Sequence, residues 1–181
     1  MKENSYREMN KAIFLDRDGT INVEKDYLHR KEDFEFIEGV PQALKLFREK
    51  GYLLILTTNQ SGIARGYYSL EDMESLHEYM QEELRKYNAQ FDDIFFCPHH
   101  PDAVVEEYHV DCDCRKPKTG MFERAIEKYN INIRDSYAIG DRERDLIPAE
   151  QLGIKCILLS EDVSRRWIMC KDLTEAEKYI V

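Results

Sequence analysis

Several absences narrow the reading before any motif is considered. No apolar run approaches the roughly 18–20 residues that a membrane-spanning helix needs, so no membrane partner is expected. The opening MKENSYREMN has no apolar core of the kind a secretory signal carries, which predicts a cytoplasmic setting. Glycine (8) and proline (5) are sparse, and there is no repeat, low-complexity tract or linker, so 1–181 reads as a single domain. A compact chain with no evident exposed apolar helix is expected to be a monomer. The phosphate-cradling G-x-x-x-x-G-K-[ST] loop, the G-x-G-x-x-G turn and the G-x-S-x-G elbow are all missing. P-loop nucleotide hydrolysis, a dinucleotide site and a serine nucleophile are therefore unsupported. Basic residues are outnumbered, 26 against 36 acidic, for a formal charge of −10. That balance argues against a nucleic-acid partner, although a small phosphate can still be held where a few cations converge. Five cysteines is an odd count and argues against a complete disulfide framework.

What is present alternates between strand and helix patterns. KAIFLD (11–16), YLLILTTN (52–59), FDDIFFC (91–97), SYAIGD (136–141) and IKCILLS (154–160) read as buried-type strands. A shorter strand-like RWIMC follows before a C-terminal helix in LTEAEKYIV. Between them, VPQALKLFREKG (40–51), SLEDMESLHEYMQEELRKY (69–87), TGMFERAIEKYN (119–130) and DLIPAEQLG (145–153) carry helical periodicity. The second opens on a Ser-x-x-Asp cap and keeps Met73, Leu76, Met80 and Leu84 on one stripe. Parallel neighbours need crossover connections, so this order predicts an α/β fold: a central parallel sheet with helices on both faces.

Ligands of such sheets bind beyond the carboxyl ends of the strands. The residues following the strands are Asp16 and Asp18 in LDRDGT, Thr58 to Ser61 in TTNQS, Cys97 in CPHHP, and Asp141 with Asp145 in GDRERD. Carboxylates two apart in extended chain share a side, and their repulsion favours a bound cation. An oxygen-rich set of this kind suits Mg²⁺. Lys116, hydroxyls and backbone donors can neutralise a phosphoryl group beside it. Arg17, Arg142 and Arg144 read individually as exposed surface cations.

Cys97-x-His99 and Cys112-x-Cys114 supply four ligands of the type that closes a tetrahedral Zn²⁺ site. His100 and His109 are alternatives to His99, Cys156 and Cys170 read as buried free thiols, and a Cys112–Cys114 disulfide would be strained. A closed site keeps no position for substrate, so zinc at the 97–114 loop is expected to be structural. It would fix where the next two residues, Arg115 and Lys116, point.

FLDRDGT, TTN, CRKP and GDRERD, in that order over positions 11–160, resemble the four motifs of the haloacid dehalogenase (HAD) superfamily of phosphatases. The resemblance implies a Rossmann-like HAD fold with no large cap domain. It implies Asp16 as nucleophile, Asp18 as general acid and base, and Thr58 and Lys116 on the phosphoryl oxygens. Mg²⁺ would be held by Asp16, the Asp18 carbonyl and Asp141, with Asp145 orienting Lys116 or a metal-bound water. Within the superfamily, DRDGTIN, FEFIEGV, TNQSGIARG and CPHHP…VEEY…CDCRKP look like the heptose 1,7-bisphosphate phosphatases, in which the cysteine loop is a structural zinc site. That implies a phosphorylated-sugar substrate losing its C7 phosphate, with Asn59, Gln60, Ser61, Arg65 and Arg115 binding it and the two arginines on the second phosphate. Histidinol-phosphate phosphatases share DRDGT, TNQ, CPH and CDCRKP, and Arg142 gives GDR in their form. A catalytically silent, zinc-stabilised binding module is the reading from a different class.

Overall fold

A computed structural model describes residues 9–160 and 166–181. Six strands form one parallel sheet: β1 (Lys11–Leu15), β2 (Tyr52–Asn59), β3 (Asp93–Cys97), β4 (Tyr137–Gly140), β5 (Lys155–Leu159) and β6 (Ile168–Cys170). Their spatial order is β3-β2-β1-β4-β5-β6. The chain leaves β1 in one direction and later returns on its other side at β4, so the switch point lies between these two central strands. Leu15 pairs with Leu56 on one side and Ile139 on the other, bringing the ends of β1, β2 and β4 level.

The central strands are apolar on both faces, as a doubly covered sheet requires. Ile13, Leu15, Leu54, Leu56, Tyr137, Ile139 and Ile157 face one core. Helices α1 (Val40–Glu49), α2 (Leu70–Arg85) and α5 (Leu173–Ala176) close it. Ala12, Phe14, Ile55, Ala138, Cys156 and Leu158 face the other, covered by α3 (Gly120–Tyr129) and α4 (Glu143–Gln151). The alternation follows from the two-residue period of a strand.

Helix α2 starts where its sequence signals. Ser69 Oγ accepts from the Asp72 amide, and the Asp72 carboxylate accepts from the Ser69 amide, a complete capping box. Met73, Leu76, Met80 and Leu84 are all buried, and His77 is buried beside them. Helix α4 begins at Glu143, two residues before its apolar pattern, because Arg142 is extended and serves as N-cap. The connections 16–39 and 98–119 contain only short 3₁₀ turns and isolated bridges, so among the described residues no large cap stands over the sheet. No helix is long and apolar enough to cross a membrane among those residues.

Candidate active site

Beyond the carboxyl ends of β1, β2 and β4 lies a polar cleft of about 220 Å³, with Asp16, Asp18, Thr58 and Asp145 in its wall. Lys116 is buried behind them, 3% exposed. Its Nζ donates to Asp16 Oδ1 at 2.7 Å and to the Thr57 carbonyl at 2.8 Å, and pairs with Asp145 Oδ1 at 2.7 Å. The cationic form is favoured: burial works against it, but Asp145 and Asp16 outweigh burial and raise the pKa.

Asp16, Asp141 and Asp145 each offer a carboxylate oxygen within 4.8 Å of the others. Burial first, then the Asp145 charge, pushes Asp16 up to about 7 despite Lys116. Asp141 is raised by the same two causes. One buried lysine therefore faces two buried carboxylates and a half-buried third, Asp141, whose only other cation is the exposed Arg142 at 3.5 Å among the described residues. Asp141 Oδ1 is also buried without a hydrogen-bond partner among the described residues. An oxygen-only donor set with surplus negative charge and an unmatched oxygen fits a hard divalent cation. Gly19 makes the close approach available: its φ is +83°, and a Cβ there would sit 2.4 Å from Asp141 Oδ2.

The Asp18 side chain stands apart from that trio. Its carboxylate accepts from Arg17, from Asn22 Nδ2 at 3.0 Å and from Gln60 Nε2 at 3.1 Å. Burial would raise its pKa, yet Arg17, Asn22 and Gln60 prevail and hold it below the ordinary carboxylate value. Arg17 thus departs from its sequence expectation. It is 1% exposed, because the 24–28 loop and α2 close over it and Asp18 supplies the counter-charge. Arg142 and Arg144 are exposed as expected, but both line the cleft.

The residues expected to bind substrate divide by position. Asn59, Gln60 and Ser61 line the cleft. The amide of Asn59 is engaged with the Lys116 backbone at both ends, and that of Gln60 with Asp18, Thr58 Oγ1 and Tyr68 Oη. These two hold the site together. Arg65 and Arg115 lie further out, where Arg65 Nη2 donates to His100 Nε2 at 3.1 Å and Arg115 Nη1 to the His99 carbonyl at 3.2 Å. Arg115 is less basic than usual, by burial first, with the charges of Arg144 and Arg65 contributing. Arg115 thus feels the charge of both Arg65 and Arg144, and Arg65 Nε is buried without a hydrogen-bond partner among the described residues.

The cysteine loop assembles as expected. Cys97, His99, Cys112 and Cys114 present four ligand atoms within 4.8 Å of one another. Cys97 Sγ lies 3.5 Å from Cys112 Sγ and 3.7 Å from His99 Nδ1, and His99 Nδ1 lies 3.3 Å from Cys114 Sγ. A tetrahedron with Zn–S bonds of about 2.3 Å has sulfur–sulfur edges of about 3.8 Å, close to these values. Cys97 and Cys114 titrate as a pair: their mutual hydrogen bond, with help from Cys112 and His99, pushes Cys114 down to about 5 and pushes Cys97 up, so the pair holds its first negative charge on Cys114. Nδ1 of His99 is the ring atom that faces the sulfurs, while His109 is exposed and His100 is occupied by Arg65.

A family model described as polynucleotide kinase 3 phosphatase matches residues 11–146, and one described as HAD-hydrolase-like matches 113–180. The D-glycero-beta-D-manno-heptose-1,7-bisphosphate 7-phosphatase of Haemophilus ducreyi is 51% identical over 150 residues, 82% of this chain and 82% of that protein. The chain belongs to the HAD phosphatases. A D-glycero-alpha-D-manno-heptose-1,7-bisphosphate 7-phosphatase of Photorhabdus laumondii is 46% identical over 82% of each chain. Among solved structures, D,D-heptose 1.7-bisphosphate phosphatase from B. bronchiseptica, complexed with magnesium and phosphate, matches with a TM-score of 0.82 and 29% identity. It covers 93% of this chain and 97% of that one.

For this HAD phosphatase, sequence reasoning missed the cleft's outer wall, where Glu24, Asp26, Tyr27 and Tyr68 join the two arginines. It also missed the Arg17–His77 contact. Tyr27 adopts a φ of +56°, uncommon for an aromatic residue, and its exposed ring packs edge-on against Tyr67. A cluster of tyrosines on two loops, at 27, 67 and 68, was the available signal.

Proposed function

We propose that this HAD phosphatase removes the C7 phosphate of D-glycero-D-manno-heptose 1,7-bisphosphate, with Mg²⁺ in the carboxylate cluster and zinc in the cysteine loop. The observation that carries the chemistry is the convergence beyond β1 and β4 of Asp16 and Asp141 from the strand ends, Asp145 from α4 and Lys116 from the 98–119 connection. The substrate is supported by the names of relatives at 51% and 46% identity.

Lys116 takes Asp16 Oδ1, so Oδ2 is the oxygen assigned to attack phosphorus in line with the departing sugar oxygen. The P–O(sugar) bond breaks as the O(Asp16)–P bond forms. Asp18, ionised in the free enzyme, takes up a proton from solvent as the phosphoryl dianion enters and gives that proton to the leaving alkoxide. Asp18 then takes a proton from water, whose oxygen attacks the aspartyl phosphate and releases phosphate and Asp16. Thr58 binds one of the equatorial oxygens as charge spreads over them. Lys116, whose three donors are held by Asp16, the Thr57 carbonyl and Asp145, supplies positive charge from behind and reaches a phosphoryl oxygen by exchanging one of these partners. Mg²⁺ would be held by Asp16, Asp141 and the Asp18 carbonyl, and would supply positive charge for the phosphoryl oxygens. Zinc on Cys97, His99, Cys112 and Cys114 would be structural, since all four positions are protein ligands.

Arg65, Arg115 and Arg144 offer a place for the phosphate that does not react. A monophosphate such as histidinol phosphate would leave that cluster unmatched, and Arg142 is engaged with Glu24 Oε2 at 2.8 Å. The acidic rim residues Glu24 and Asp26 and the charge of −10 oppose a polynucleotide substrate.

Phosphate release with Mg²⁺ should be compared for both anomers of heptose 1,7-bisphosphate, histidinol phosphate and a 3′-phosphorylated oligonucleotide. A kcat/KM advantage for one heptose anomer supports the assignment and names the anomer. An advantage for either other substrate overturns the substrate while leaving the fold and chemistry intact.

A further inference from the structure

The acid–base group of the proposed reaction is held by a buried relay that ends on α2, outside every motif that marks the family. Arg17 Nε and Nη2 donate to Asp18 Oδ1 at 3.2 and 3.0 Å, and Nη2 also reaches Oδ2 at 3.0 Å. The same Nη2 donates to the Leu28 carbonyl at 2.9 Å. The other terminal nitrogen, Nη1, lies 3.2 Å from His77 Nε2. A guanidinium has no acceptor, so His77 receives this bond on Nε2 and carries its proton on Nδ1. A neutral ring is what the surroundings dictate: burial and the Arg17 charge push His77 down to about 3.

We propose that His77 is a positioning residue for catalysis: by accepting from Arg17 it fixes the guanidinium that aims the Asp18 carboxyl at the leaving oxygen. The inference rests on Asp18 being the acid–base group. Three features favour a positioning role over packing. His77 occupies a stripe otherwise made of Met73, Leu76, Met80 and Leu84, where an aliphatic side chain would avoid the cost of burying a polar ring. Arg17 is 1% exposed and His77 6%, so water competes little for their contact. A planar guanidinium held at Asp18, Leu28 and His77 cannot swivel about its long stem, and proton transfer tolerates little misplacement. Asn22 and Gln60 reach the carboxylate from other directions, so loss of His77 should loosen Asp18 without releasing it.

The test separates aim from fold by choice of leaving group. A sugar alkoxide needs a proton as it departs, whereas p-nitrophenolate leaves without one. With Mg²⁺ present, His77→Leu should lower kcat on the heptose bisphosphate about tenfold, a part of the full general-acid contribution. KM should stay within about twofold, so kcat/KM falls about tenfold as well. For p-nitrophenyl phosphate, kcat/KM reports only the steps up to loss of the nitrophenolate, not the later hydrolysis in which Asp18 serves both substrates as base. It should fall by no more than about twofold. His77→Gln, whose side-chain oxygen can accept from Arg17, should recover most of the loss. If His77→Leu does not fold, His77→Met carries the same comparison. Equal losses on the two substrates, no loss on either, or a Gln variant no better than Leu would overturn the inference. Asp18→Asn is measured beside them. Full activity in that variant removes the acid–base reading itself, while an inactive Asp18→Asn with an unaffected His77→Leu removes the His77 inference alone.

Discussion

Lys116 Nζ donates to Asp16 Oδ1 at 2.7 Å across one hundred positions of sequence. Both side chains are buried, and the same ammonium reaches Asp145. The nucleophile of the proposed reaction is therefore oriented by a loop that the cysteine cluster anchors.

Lys116→Met should remove that orientation together with the charge that faces the phosphoryl group. A fall in kcat of about 10²–10³ is expected, the size found when one preorganised donor to developing charge is removed. Steady-state kinetics checks it, with circular dichroism to confirm the fold. An active Lys116→Met enzyme would be incompatible with the proposed role.

Cys112→Ser should release zinc, lower the thermal midpoint and reduce activity, because Arg115 and Lys116 follow directly from the ligand at Cys114. Metal analysis of the purified variant and differential scanning calorimetry report the two effects. Full zinc content with unchanged activity would refute the assignment of the cluster.

Arg65→Gln should raise KM for the heptose bisphosphate about tenfold, the order expected for one charge-assisted hydrogen bond. Turnover of p-nitrophenyl phosphate should not change, since it has no second phosphate to place. A parallel loss on both substrates would move Arg65 from specificity to structure.

His77 also gives a pH signature in stability. Its folded pKa, about 3, lies below the ordinary value of 6.5, so the unfolded chain binds the extra proton first as pH falls. Stability attached to a neutral His77 is complete above pH 6.5 and is lost progressively towards pH 3, at about 1.4 kcal/mol per unit. Between pH 7 and pH 5, wild type should lose about 2 kcal/mol more than His77→Gln in urea titrations, the Gln variant having no ring to titrate. Equal losses would show that the ring is not held neutral.

The alternation of strands and helices, the helix faces and the strand-end acids were legible in the sequence because each follows from a short period or a fixed spacing; the order of strands within the sheet was not. Asp16, Thr58, Lys116 and Asp141 stand directly at strand ends or beside the cysteine loop, so their convergence needed only the parallel topology. Arg17 was not legible. An arginine between two aspartates looks solvated until the 24–28 loop and α2 are known to cover it. His77 was hidden for the opposite reason, as one polar residue within a helical stripe whose neighbours account for the pattern. Asn59 and Gln60 stand at the expected place, but only tertiary contacts reveal that their amides are already engaged by the protein. Arg144 carried no sign of convergence with Arg65 and Arg115, which come from two other loops.

The amide of Asn59 gives its nitrogen to the Lys116 carbonyl at 3.1 Å and takes the Lys116 N–H on its oxygen at 3.0 Å. That is the two-way exchange one strand offers another, performed here by a side chain. The sheet thus gains a last rung made from an asparagine, and the cysteine loop is knitted onto it as an extra partial strand. A disturbance at the cysteines would reach the phosphoryl pocket as a slipped stitch in the sheet, felt first at the amide proton of Lys116.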